Sequence, residues 1–337
     1  MGWAGLALWL SAGLVLGCAA TWLARRYALR RQLIDQPGAR RSHQEATPRG
    51  GGIAIVLVLL MAMAALAIRV PARIQELALG AAGLVLVAGI GWIDDHRPLP
   101  ATLRLCVHLL AAGLLCAGLW LAGGSPLDLA VAFVAAVVLT NVWNFMDGIN
   151  GIAASQAVLV ATAYALFAGQ GPVFWLGLAL AAGVSGFLPF NFPRARIFMG
   201  DVGSGALGYA LASLLAVSSL HADPGTRILL LFPLLPFLLD ASLTLLSRML
   251  RGERWWEPHT RHAYQAWARR RGHAHVTLSY VLATILVSAV MFSLRSSHWS
   301  SIMLSYAAFL SAGGVAWRLL RERSMDRHSD TLGKGNH

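Results

Sequence analysis

The sequence predicts an all-α fold: a polytopic transmembrane helical bundle of about 11 spans, with the N-terminus periplasmic and the C-terminus cytoplasmic. Three observations predict it. The 337 residues are 57% hydrophobic and only 12% charged, against roughly 25% charged in a soluble domain. The apolar residues gather in runs of about 20, the length that crosses a bilayer core. The basic residues fall between these runs, heavily on one side.

The runs lie near 3–24, 53–70, 75–93, 103–122, 127–146, 151–169, 172–190, 203–220, 227–247, 277–294 and 300–317. The first has no basic segment before it and no clear small-residue cleavage site, so a retained span is expected and not a signal peptide. Short turns such as Gly123-Gly124-Ser125-Pro126 and Asp223-Pro224-Gly225 separate later runs. Cys18, Cys106 and Cys116 are scattered through apolar runs, which indicates neither a disulfide framework nor a thiolate metal site. The expected organisation is one integral membrane domain over 1–322, with loops at 25–50, 94–101, 191–201 and 248–276. A polar tail covers 323–337, and its last dozen residues are expected to be disordered.

Eleven spans would place the termini on opposite sides. Of the 27 Lys and Arg residues, 23 fall in 25–50, 94–104, 191–201, 248–276 and the tail from 318; the others are Arg69, Arg73, Arg227 and Arg295. The positive-inside rule makes the basic side cytoplasmic. Topology and anionic lipid therefore explain much of the net charge of +12, and no nucleic-acid partner is expected.

Four polar clusters fall on that same side. Asp94 and Asp95 end the third run; adjacent carboxylates at the negative end of a helix dipole suit a cation or a proton transfer. A solvated turn is the plain alternative. Asn141, Asn144 and Asp147 recur every third residue and share an arc of about 120°; Gly148, Asn150 and Gly151 follow. Such polar groups in a membrane helix are costly and functional by default, with interhelical hydrogen bonding as the alternative. Asn191, Arg194, Arg196, Phe198 and Asp201 precede a helix opened by Gly203, Ser204 and Gly205. There Asp201 is expected as an N-cap, free N–H groups as an anion site, and the carboxylate as a Mg²⁺ ligand. The loop 248–276 carries His259, Arg261, His262, Tyr264 and Gln265, and 25–50 carries His43 and Arg49 before Gly50-Gly51-Gly52. Arg and His there suit phosphate, or are simply the basic loops of the positive-inside rule. Asp240, inside the ninth run after Pro233 and Pro236, is expected to be paired or functional.

These clusters, in this order, resemble the polyprenyl-phosphate N-acetylhexosamine-1-phosphate transferases. The likeness covers nearly the whole chain and rests on the Asp-Asp pair, NxxNxxDGxxG, FMGDxGS and the basic His-containing loop. The NFMDGINGIA and HTRHAYQ stretches look most like the WbpL-type branch that initiates O-antigen synthesis. Asn150 stands where the peptidoglycan enzyme has a second Asp, and the histidine motif is reduced to His259-Thr260-Arg261-His262; both argue against a muramyl-pentapeptide substrate. The resemblance implies transfer of a sugar 1-phosphate from a UDP-N-acetylhexosamine to undecaprenyl phosphate with release of UMP, and Mg²⁺ (or Mn²⁺) as cofactor. It implies Asp94, Asp95 and Asp201 as catalytic residues and Asp201 and Asp147 as metal ligands. Asn141, Asn144, Asp147, Gly148 and Asn150 would line the nucleotide pocket. Asn191, Phe198, His43, Arg49, Arg196, His259, Arg261 and His262 would contact substrates. It also implies a homodimer in the bacterial inner membrane. The rival reading is a transporter of nucleotide-sugars or lipid-linked sugars, against which one-sided polarity and the lack of a repeat both count.

Overall fold

Each apolar run is helical in the computed structural model, which describes residues 2–36, 45–254 and 260–333, with side chains as far as 321. The helices are α1 (Trp3–Arg30), α2 (Ile53–Arg69), α3 (Ile74–His96), α4 (Ala101–Leu121), α5 (Pro126–Met146), α6 (Ile152–Ala168), α7 (Pro172–Asn191) and α8 (Asp201–Ser218). They continue as α9 (Pro224–Leu229), α10 (Leu235–Leu250), α11 (Ala263–Arg271), α12 (His273–Ser293) and α13 (Trp299–Gly333). Among the described residues, nine helices are long and apolar enough to cross a membrane, counting 224–250 as one. The helices over the second and sixth runs, α2 and α6, have 17 residues each. Helices dominate because a chain in lipid must satisfy its backbone within the segment. The protein is an all-α polytopic membrane protein.

Three expectations need correcting. The ninth run is interrupted: Pro233 sits in a 3-10 turn over Phe232–Leu234 between α9 and α10, because proline offers no N–H and crowds the preceding turn. The segment 248–276 is not all loop, since α11 lies within it. The tail expected to be disordered is helical as far as Gly333; adding residues to a helix already nucleated is cheap, and no Pro or Gly interrupts 315–332.

The hub of the bundle is α8, which packs on α2, α3, α5, α6 and α7. Its approach to α2 is backbone on backbone. A Cβ on Gly52 would overlap the backbone of Gly203, and one on Gly203 would overlap Gly52 Cα. A two-residue antiparallel ladder, β1 (Ile34–Asp35) with β2 (Thr47–Pro48), lies just before α2. The segment after it is tied down by Phe198 N–H to the Pro48 carbonyl at 2.8 Å and Gly51 N–H to the Phe198 carbonyl at 2.9 Å. The ends of α3, α5 and α7 thus meet the start of α8 at one end of the bundle.

Candidate active site

At that end the last turn of α3 runs into the first turn of α8. Asp95 is 2% exposed; its Oδ1 accepts the Asp201 N–H and its Oδ2 the Val202 N–H, both at 3.1 Å. A carboxylate at a helix N-terminus satisfies orphan donors and meets the positive end of the dipole. Gly200 makes this possible. Its φ is +75°, and a Cβ there would strike the Asp95 carboxylate. Arg49 donates to the Asp95 backbone carbonyl and stands 4.0 Å from Oδ1. The neighbouring Asp94 accepts the Leu99 N–H at 2.6 Å. Arg104 joins Asp94 to Asp201: its Nη1 lies 2.9 Å from Asp94 Oδ2 and 2.8 Å from Asp201 Oδ2. The repulsion expected of the Asp pair is therefore offset by two arginines and three backbone N–H groups.

From α5, Asn144 lines the chamber with Asp201, and Asp147 stands at the helix C-cap. Burial first, then the nearby Asp201 and Asp95, pushes the Asp147 carboxyl well above the usual carboxylate range. A cavity of about 190 Å³ brings Arg49, Asp95, Asn144, Asp147, Gly148, Asn150, Asn191, Phe198 and Asp201 together. Asp94 acts from behind this wall through Arg104. An outer vestibule of about 630 Å³ shares Asn150, Phe198 and His273 and adds Thr47, Arg194 and Arg269. The inner chamber is acidic and the vestibule is basic.

Other expected site residues are not in this chamber. Asn141 donates along its own helix to the Val137 carbonyl at 2.7 Å. Arg196 lies over the Phe190 ring at 5.1 Å. Arg261 is bonded to Glu253 at 2.5 Å, in an ion cluster with Arg248. His262 is buried, capping α11 and stacked on Phe145. His43 and His259 lie outside the described residues. The expected anion site at the start of α8 is filled: Asp95 takes two N–H groups, and the Gly203 and Ser204 N–H groups go to the Gly200 carbonyl at 3.0 Å. For the same reason Gly200, not Asp201, is the N-cap.

Sequence reasoning did not single out Arg104, His273 or Asp35. Arg104 had one available signal, a cation one turn into an apolar helix. His273 and Asp35 join the cavity wall only through the fold.

The donor set is oxygen-rich, as a hard divalent cation requires. Among the described residues no three acidic, His or Cys side chains form a ready cage. Mg²⁺ commonly takes only one or two carboxylates and completes its shell with substrate phosphate and water. The pair Asp147 and Asp201 fits that pattern, and the excess negative charge felt by Asp147 is what a cation would relieve.

Residues 77–219, which hold three of the four clusters, match the model of glycosyl transferase family 4. The chain is 31% identical to decaprenyl-phosphate N-acetylglucosaminephosphotransferase of Mycobacterium leprae, over 90% of this chain and 88% of that protein. It is 31% identical to a probable undecaprenyl-phosphate N-acetylglucosaminyl 1-phosphate transferase of Bacillus subtilis, over 58% of each. Against phospho-N-acetylmuramoyl-pentapeptide-transferase of Moorella thermoacetica it is 36% identical, over 52% of this chain and 63% of that protein. The chain belongs to glycosyl transferase family 4, the polyprenyl-phosphate N-acetylhexosamine-1-phosphate transferases.

Proposed function

We propose that the protein transfers N-acetylhexosamine 1-phosphate from a UDP-sugar to undecaprenyl phosphate at the cytoplasmic face of the bacterial inner membrane, releasing UMP and initiating O-antigen or related envelope polysaccharide synthesis. The observation that carries this reading is the acidic chamber behind a basic vestibule, at the end of the bundle where the cationic loops lie. Family membership supports the phosphotransfer itself, since relatives are named for it.

Donor and acceptor are both anionic, so they must be held against their repulsion. Arg194, Arg269 and His273 supply donors in the vestibule, Arg49 supplies them further in, and Arg104 balances Asp94 and Asp201 from behind. When bound by Asp201 and Asp147, Mg²⁺ or Mn²⁺ would neutralise pyrophosphate charge and favour departure of UMP. An acceptor oxygen attacks the sugar-bearing phosphorus, the bond to the UMP oxygen breaks, and UMP leaves with that electron pair. The acceptor phosphate has a second pKa of about 6, so no strong base is needed. Asp95, with both oxygens engaged by α8, acts as an anchor. Asp94 holds Arg104 between itself and Asp201.

The test is UMP release by purified protein given undecaprenyl phosphate, Mg²⁺ and a panel of UDP-GlcNAc, UDP-GalNAc, UDP-FucNAc and UDP-QuiNAc. One donor should release UMP, and Asp201→Ala should abolish it in a protein that still folds. No release with any donor sinks the proposal. A labelled phospho-enzyme trapped without acceptor would replace the direct attack with a two-step route.

A further inference from the structure

We infer that Asp240 is a positioning residue for this site: from inside α10 it fixes the N-terminus of α11 and so sets where Gln265 meets the chamber and where Tyr264 meets the end of α5. The inference rests on the transfer reading only for its kinetic arm. Asp240 is 3% exposed, and a charge so buried is tolerated when its lone pairs are filled. All are. Oδ1 accepts the Ala263 N–H at 2.8 Å and the Thr244 hydroxyl at 3.1 Å. Oδ2 accepts the Tyr264 N–H at 2.9 Å and the Tyr280 hydroxyl at 2.8 Å. The His262 ring stands 3.7 Å from Oδ1.

The arrangement repeats that of Asp95. In each case a buried carboxylate on one helix takes the first N–H groups of another whose opening residues face the chamber. At nine residues, α11 is too short to be stable unaided, so its place depends on what holds its ends. Its first turn meets the chamber through Gln265 and the end of α5 through Tyr264. Tyr264 donates to the Phe145 carbonyl at 2.9 Å, two residues before Asp147. Gln265 closes a capping box on the His262 N–H at 3.4 Å and lines the cavity beside Gly148. Displacing the start of α11 therefore moves a cavity-lining amide and loosens the end of α5.

Asp240→Asn and Asp240→Glu separate the outcomes. Asn turns one acceptor oxygen into a donor facing a donor, so it cannot cap both N–H groups. In Asp240→Asn, amide exchange over 262–268 and 147–150 should quicken at least about tenfold while α3 and α8 stay protected. KM for the UDP-sugar should rise about tenfold with kcat within about threefold. Glu keeps the capping charge but is one methylene longer. Asp240→Glu should keep α11 protected within about threefold and still raise KM, because α11 is capped but displaced. Unchanged exchange in Asp240→Asn overturns the inference. So does fast exchange at 262–268 that leaves 147–150 untouched, or a wild-type KM in Asp240→Glu, which decides alone if the Asn variant does not fold. A wild-type protein that releases no UMP would fail the transfer reading, while the exchange arm still judges Asp240.

Discussion

One nitrogen of Arg104 serves both Asp94 and Asp201, so this side chain is the cation that lets two helices end on facing carboxylates. Arg104→Ala should lower kcat/KM for UMP release about a hundredfold, close to 2.7 kcal/mol of transition-state stabilisation. Arg104→Lys keeps the charge without the fork and should recover to within about tenfold of wild type. Equal loss in both variants would mean that geometry, not charge, matters at this position. Asp147 poses the opposite problem. Burial and its acidic neighbours raise its carboxyl well above the ordinary value of 3.8. Between that value and the raised one the folded protein binds a proton that the unfolded chain releases, so stability falls as pH rises through the window. With divalent ions chelated, the wild-type melting temperature should fall as pH rises above the ordinary carboxylate range, and that of the Asp147→Asn variant should fall less steeply. Adding Mg²⁺ should stabilise the wild type at the upper pH and the variant much less. A pH-independent wild type would show that Asp147 is not held among uncompensated charges.

Helix α11 shows what governs the site at the level of elements. A Cβ on Gly148 would collide with the Tyr264 hydroxyl and sit 2.9 Å from Gln265 Nε2, so the turn after α5 and the first turn of α11 share one space. Gly148→Ala should push α11 outward and cut UMP release more than about tenfold, and adding Tyr264→Phe should recover part of it by removing the hydroxyl. No recovery would locate the damage in the turn itself. The apolar runs are legible in the sequence because bilayer thickness sets their length, whereas the break at Pro233 inside the ninth run emerges only in the structure. The acidic and amide clusters are legible because such groups are costly among apolar residues. By contrast α11 is short and polar, and the carboxylate that caps it lies 23 residues upstream. The filling of the α8 N-terminus by Asp95 spans 106 residues, and the Arg104 bridge to Asp201 spans 97. Local spacing carries no trace of contacts that only the packing of the bundle creates.

The two ends of the whole molecule are electrostatically unlike, and that difference supports an orientation. The site end gathers Arg49, Arg194 and Arg269 around open chambers, with Arg104 behind the wall on Asp94 and Asp201. The far end closes its charges on itself: Asp128, 2% exposed, caps α5 with Ser125, is bonded to Arg227 at 2.7 Å, and has His221 at 3.8 Å. Arg73 pairs with Glu76 there at 3.1 Å. An end with paired charges presents little cation to hold it in the cytoplasm, whereas the site end carries the excess that the positive-inside rule retains there. The orientation can be read with single cysteines after Cys18, Cys106 and Cys116 are replaced. Thr102, exposed at the start of α4, marks the site end; Ser296, exposed between α12 and α13, marks the far end. A membrane-impermeant thiol reagent should modify Ser296→Cys in intact cells and Thr102→Cys only after the inner membrane is opened. The reverse pattern would put the chamber on the periplasmic side, away from any cytoplasmic supply of UDP-sugar, and would overturn the proposed direction of transfer while leaving the geometry of the site intact.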